Sequence, residues 1–210
     1  MTDAERHLAG HSDRFAALIA RVGPRAHTPD DTPPYARLLR AIAHQQLNGR
    51  AAETIFGRFK ALFPGHDIPP PDLVLARPEA DLRAAGFSFS KITAIRDIAA
   101  KALDGVVPQP DEAHALDDAA LIERLVTIRG VGRWTVEMLL IDMGRPDVLP
   151  VDDFGVREGY RILHGLEAQP KPKVLAEIGL AWAPYRTTAS WYLWRAADEH
   201  KKVKPLPVQA

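Results

Sequence analysis

Two adjacent carboxylates, Asp152 and Asp153, follow the apolar run Val148-Leu149-Pro150-Val151 and open a helical pattern. An Asp at a helix start accepts hydrogen bonds from unpaired backbone N–H groups, worth roughly 0.5–2 kcal/mol against Ala. The helix dipole favours its negative charge. A carboxylate fixed there can also stabilise a developing cation or activate water. As a joint site for a divalent metal the two Asp residues are poorly suited. Neighbours on a helix point in different directions, and no acidic or His cluster stands close in sequence. His44 has no partner at metal-ligand spacing, so no zinc site is expected.

Upstream, Ile128-Arg129-Gly130-Val131-Gly132 joins two helical patterns, Ala119 to Val126 and Arg133 to Met143. Glycines two apart suit a tight turn needing positive φ or a bare backbone. A hairpin of this kind turns backbone N–H groups outward at a helix N-terminus, where they can hold a phosphate. It can equally be an ordinary connection between two helices. The tryptophans Trp134, Trp182, Trp191 and Trp194 all lie from this hairpin onward. Trp191 and Trp194, three apart, share a helix face.

The rest of the chain must position these groups. Its 210 residues allow one large domain or two small subdomains. With 46% hydrophobic and 26% charged residues it reads as globular. Lys+Arg and Asp+Glu are both 27, so any nucleic-acid partner must be held by local geometry rather than net charge. The absence of cysteine excludes a disulfide framework, a thiol nucleophile, a Cys-ligated zinc site and a Cys-ligated iron–sulfur cluster. No apolar run approaches a membrane span or a signal peptide, so no membrane partner and a cytoplasmic location are expected (nucleoid-associated if the cell is bacterial).

Hydrophobic periodicity predicts an all-α protein of about ten helices. Residues 1–10 read as loosely structured. Ser12-Asp13 starts a helix stopped by Gly23-Pro24, and His27 to Thr32 is a polar loop. Helices follow at about 34–46, 51–63, 72–76 and 78–85, then from a Ser90 cap to Leu103. A proline-bearing connection covers 106–116, and 147–151 is briefly extended. Beyond the hairpin, helices are expected at 153–163, 173–180 and 184–200, with a mobile tail at 201–210. Trp182 and Trp191 read as core.

The stretches IRGVGRWT and LPVDDFGVREGY resemble the helix-hairpin-helix DNA glycosylases, most of all the 3-methyladenine DNA glycosylase II branch. AIAHQQLNGRAAETIFGRF at 41–59, GFSFSKITAIRDIA at 86–99 and WAPYRTTASWYLWR at 182–195 extend the match, in order, from about 35 to 195. The resemblance implies two helical subdomains flanking a cleft, one of about 30–150, the other of about 1–29 plus 151–200. Relatives in this branch often carry an extra N-terminal β-domain, and none is expected here because little chain precedes the first match.

The resemblance makes Asp153 the catalytic carboxylate and implies Trp134, Met138, Phe154 and Trp194 as walls for an extruded base. It implies DNA contacts by Gly130 and Gly132 amides and places Gln45, Gln46 and Leu47 in the loop that fills the gap left by the flipped nucleotide. Arg133 and Lys91 could meet phosphates or be solvated surface. A sodium or potassium ion on the carbonyls of Val126, Ile128 and Val131 is implied, and no cofactor for catalysis. Bifunctional relatives place a nucleophilic lysine at the position of Trp134, and here no lysine lies between 105 and 170. The expected activity is therefore monofunctional: a monomer that acts on double-stranded DNA, hydrolyses alkylated purines such as 3-methyladenine and 7-methylguanine from it, and leaves an abasic site. Open alternatives are another damaged purine such as hypoxanthine, or a non-catalytic hairpin module that binds DNA.

Overall fold

The computed structural model describes residues 1–26, 29, 32–47 and 49–203, without the side chains of 202 and 203. Thirteen α-helices occur among them: α1 (Asp3–His11), α2 (Asp13–Val22), α3 (Pro34–His44), α4 (Gly49–Ala61), α5 (Pro71–Ala76), α6 (Glu79–Ala85), α7 (Phe89–Leu103), α8 (Pro110–Ala115), α9 (Asp118–Leu125), α10 (Arg133–Asp142), α11 (Phe154–His164), α12 (Pro172–Gly179) and α13 (Arg186–Val203). A 3-10 turn spans Leu180–Trp182. There is no strand among the described residues, and none of their helices is long and apolar enough to cross a membrane.

Several elements differ from the sequence reading. Residues 1–10 are not loose, because Thr2 and Glu5 form a reciprocal capping box. Leu8 is fully buried, and Glu5 accepts hydrogen bonds from the Arg25 N–H at 3.0 Å and the Tyr192 hydroxyl at 2.9 Å. Burial opposes ionisation of Glu5, but these donors and Thr2 outweigh it and hold its carboxyl below the ordinary range. The cap of α7 is Ser88 rather than Ser90; its Oγ accepts from the Lys91 N–H at 3.3 Å. The connection at 106–116 contains α8, opened by Pro110 and anchored by buried Ala113. Residues 201–203 of the expected tail continue α13. The remainder of the tail (204–210), Asn48, and His27, Thr28, Asp30 and Asp31 of the polar loop lie outside the described residues.

The chain divides into two compact units, Met1–Pro29 with Leu140–Ala210, and Asp30–Leu139. The division falls within α10. Residues 144–148 are bound within the first of these units. Gly144 lies against Pro29, and a Cβ there would come within 2.7 Å of the proline ring. Asp147 forms a bidentate pair with Arg186, with 2.7 Å from Nε to Oδ1 and 2.7 Å from Nη2 to Oδ2. Thr187 Oγ1 accepts the Val148 N–H at 2.9 Å and donates to the Arg145 carbonyl at 2.7 Å. The Thr187 N–H donates to the Pro146 carbonyl at 3.0 Å. The extended segment is thus clamped to the start of α13, not to a strand.

The core of this first unit joins Leu8, Phe15, Leu18, Val156, Tyr160 and Leu193 around Trp182. Trp182 is buried as expected, and Trp191 packs partly buried on the same cluster. Helices α11 and α13 pack closely because Gly155 and Gly159 present bare backbone to α13. A Cβ on Gly159 would sit 1.9 Å from the Leu193 carbonyl oxygen, and one on Gly155 would sit 2.8 Å from Trp194 Cδ1. In the second unit, the apolar faces of α3 and α7, Leu38, Leu39 and Ile42 with Ile92, Ile95 and Ile98, are buried. Phe59 meets Phe63 and Phe87 edge-on at 5.3 and 5.4 Å.

Two expectations follow from the first unit. Gly159→Ala forces α11 and α13 apart and should cost at least about 1–3 kcal/mol, the usual range for overpacking, read as a lower urea midpoint. The second concerns Asp147. Hydrogen bonding to Arg186 holds its carboxyl below its ordinary value, against burial. A depressed carboxylate stabilises the fold above its unfolded pKa of about 3.9, and that stability is lost as pH falls through the folded value. Side-chain exposures of 27% for Asp147 and 32% for Arg186 moderate the effect. Asp147→Asn should therefore cost about 1–2 kcal/mol at pH 7, with the gap to wild type narrowing below about pH 4. A gap in urea stability unchanged between pH 7 and pH 3 would refute this.

Candidate active site

In the first unit, Asp153 is the N-cap of α11, with extended backbone at φ −67 and ψ 124. Its N–H donates to the Pro150 carbonyl at 3.0 Å, which closes the turn after the clamped segment. Its Oδ1 accepts two hydrogen bonds, both at 2.8 Å: from the Val156 N–H and from Trp194 Nε1. The first is the capping bond expected of an Asp here. The second joins residues 41 apart in sequence and depends on the glycine-lined approach of α13 to α11. The carboxylate is half-buried, while Phe154, the next residue, is 65% exposed. The structure thus brings Asp153 and Trp194 into direct contact and leaves Phe154 on the surface beside them. Asp152 is exposed.

In the second unit, the hairpin between α9 and α10 is a succession of tight turns. The Ile128 N–H donates to the Leu125 carbonyl and the Val131 N–H to the Ile128 carbonyl, both at 3.1 Å. Ile128 and Val131 point into the core. Gly130 has φ 79, and a Cβ there would come within 2.8 Å of Ala94 Cβ. This position therefore requires glycine twice over. Gly132 lies in open space, and its carbonyl accepts from Thr135 and Val136 at the start of α10. Arg133 Nε donates to Glu137 Oε1 at 2.9 Å, and Glu137 is only 4% exposed. Trp134 is 44% exposed, and Met138 one turn later is half-buried.

The glutamine corner follows α3. Gln45 Nε2 donates to the Gly130 carbonyl at 3.0 Å, so the corner and hairpin are joined directly. Gln46 has φ 58, and Leu47 is 39% exposed. Lys91 faces inward: its ammonium donates to the carbonyls of Ala43 and Gln45, each at 2.8 Å, and burial lowers its pKa. Among the described residues no group of three or more His, Cys, Asp or Glu side chains is placed to hold a metal ion.

Sequence reading did not single out the positioning residues. Asp147, Arg186 and Thr187 act across about 40 residues of chain, and no local spacing reveals such pairs. Gly155 and Gly159, four apart inside a helical pattern, were a readable sign of close helix packing. Asp97, whose Oδ2 accepts the Arg129 N–H at 2.7 Å, had no distinguishing local signal.

Comparison with known proteins adds to this geometry. The sequence pattern of the HhH-GPD superfamily of base excision DNA repair proteins matches residues 39–184. The chain is 41% identical to "DNA-3-methyladenine glycosylase 1" of Schizosaccharomyces pombe over 211 aligned residues, covering 98% of this chain and 92% of that protein. The fold superposes on the S. pombe 3-methyladenine DNA glycosylase in complex with abasic DNA with a TM-score of 0.84, covering 92% of this chain and 96% of that one. A DNA-3-methyladenine glycosidase from Bacillus halodurans superposes with a TM-score of 0.86 at 32% identity, covering 96% and 92%. A pattern match over most of the chain, and a relative matched almost end to end, place this protein in the HhH-GPD superfamily of base excision DNA repair proteins.

Proposed function

We propose that the chain is a monofunctional DNA glycosylase that hydrolyses the N-glycosidic bond of alkylated purines in double-stranded DNA and leaves an abasic site. The observation that carries this reading is the Asp153 carboxylate, held at the head of α11 by one backbone and one indole N–H. Phosphate binding alone needs no such device, which argues against a purely DNA-binding module. The S. pombe relative named above, solved in complex with abasic DNA, favours 3-methyladenine-type lesions.

Alkylation at N3 or N7 of a purine puts positive charge on the base. Such a base departs neutral and needs no proton from an acid. As the C1′–N bond lengthens, positive charge builds on the sugar. A fixed carboxylate beside C1′ stabilises that charge and can orient or deprotonate the attacking water. The base must first leave the stack, at a cost of a few kcal/mol. Aromatic faces favour a cationic base, and Trp134, Met138, Phe154 and Trp194 are proposed to contact it. With Trp at 134 there is no amine to attack C1′, so water is the nucleophile and the strand stays intact.

Gly130, Gly132 and Arg133 are proposed to take the phosphate, and Gln45, Gln46 and Leu47 to fill the vacated space. The family's monovalent cation would sit on the carbonyls of Val126, Ile128 and Val131. Three neutral oxygens suit a weakly held sodium or potassium ion, and Ile128 O keeps a second lone pair beyond its bond to Val131. Bound there, the ion would add positive charge to the hairpin. The enzyme is proposed to act as a monomer in the compartment that holds the DNA, the cytoplasm in a bacterium.

The test is release of free 3-methyladenine and 7-methylguanine from methylated duplex DNA. Asp153→Asn should lower the single-turnover rate at least about 100-fold, as loss of one electrostatic stabiliser does, while retaining DNA binding. Trp194→Phe keeps an aromatic ring but removes the donor to Oδ1; a loss of about tenfold is expected, some 1.4 kcal/mol. Equal release by wild type and Asp153→Asn would remove Asp153 from the mechanism. No release by a folded, DNA-binding wild type would favour another lesion or the binding-module reading.

A further inference from the structure

We propose that Lys91 is a positioning residue that holds the Gln45–Leu47 corner in the shape needed to enter the gap left by an extruded base. This rests on the glycosylase reading above. Helix α3 ends at His44, and its last carbonyls lack partners within the helix. Lys91 supplies them: two of its three N–H donors go to Ala43 and Gln45, where a cation also complements the negative end of the helix. The chain then turns through Gln46 at φ 58, a left-handed conformation that is strained for a non-glycine residue. It emerges at Leu47, an apolar side chain left 39% exposed. A strained turn that presents an apolar tip to solvent must be held from behind, and Lys91 holds it.

The brace extends to the phosphate-binding element. Lys91, Ala94 and Asp97 are three apart on α7 and share a face. Ala94 lies beneath Gly130. Asp97 accepts the Arg129 N–H at 2.7 Å. Gln45 Nε2 closes the circuit onto the Gly130 carbonyl at 3.0 Å. Helix α7 therefore fixes the corner and the hairpin to one rigid frame, so the tip enters the duplex at a set distance from the gripped phosphate. Two of the three donors on Lys91 are already spent, which separates this role from that of a solvated phosphate contact.

A brace of this kind matters most where extrusion is hardest. The experiment measures single-turnover release of one alkylated purine from two duplexes, with the lesion either correctly paired or placed opposite a mismatch that lowers the cost of unstacking. Lys91→Met should lose at least about tenfold on the paired duplex (about 1.4 kcal/mol) and far less on the mispaired one, and Lys91→Arg should recover most of the loss. Affinity for undamaged duplex and its salt dependence should stay as in wild type. Equal loss on both duplexes with a lowered Tm would reduce Lys91 to a general stabiliser and overturn the proposal. Weaker binding of undamaged DNA with a salt slope smaller by about one would make it a phosphate contact and overturn it as well. Wild-type rates on both duplexes would also overturn it. Should Lys91→Met fail to fold, Lys91→Gln carries the same comparison. The wild-type arm tests the underlying reading separately: no release there removes the glycosylase assignment and this proposal with it.

Discussion

The two hydrogen bonds on Asp153 Oδ1 are the constraint around which the first unit is arranged. One comes from the chain itself, three residues on, and would form at almost any Asp-capped helix. The other comes from Trp194 and needs the whole unit. Helix α13 must lie against α11 closely enough for an indole N–H to reach a helix cap, and Gly155 and Gly159 permit that approach. The segment before Asp153 must enter at one angle, which the Asp147–Arg186 pair and Thr187 determine. A carboxylate held this way loses little freedom at the moment of reaction, which is how a fixed charge becomes useful for catalysis.

The second unit applies the same economy to different groups. Its hairpin and glutamine corner carry few side chains suited to chemistry. Their value is in backbone shape, with Gly130 at φ 79 and Gln46 at φ 58. Such shapes are maintained by what packs behind them. Here that is one face of α7, contributing an ammonium, a methyl group and a carboxylate at three-residue intervals. A small residue at 94 is as necessary as a charged one at 91, since a larger side chain would occupy the space that Gly130 needs.

Helix content and most helix positions were legible in the sequence because apolar periodicity and Pro or Gly punctuation are local. The first helix was legible too: Thr2-Asp3-Ala4-Glu5 has the spacing of a capping box, and reading residues 1–10 as loose overlooked it. The shift of the α7 cap from Ser90 to Ser88 is a choice between two serines two residues apart, both able to cap, and the capping hydrogen bond from the Lys91 N–H falls to Ser88. At the site, Asp153 and Trp194 were readable as motif residues, but not the bond between them. Lys91 shows the limit most clearly. A lysine near the start of a helix looks like surface charge, and only the fold reveals that the end of α3 lies within its reach.

The same limit bears on charge. With 27 basic and 27 acidic residues, the chain has no surplus with which to grip a polyanion. Several basic side chains, moreover, are engaged within the protein: Arg124 with Glu112 and the Val106 carbonyl, Arg161 with Glu158, Arg186 with Asp147. For a repair enzyme this distribution has a physical logic. Affinity drawn from many phosphate contacts is indifferent to sequence and damage, and it detains a protein on intact DNA. In the proposed mechanism, backbone amides in a preset hairpin grip one phosphate in one geometry. Discrimination then falls to the step that only a damaged base rewards, its extrusion and the loss of its positive charge opposite Asp153, the proposed catalytic carboxylate.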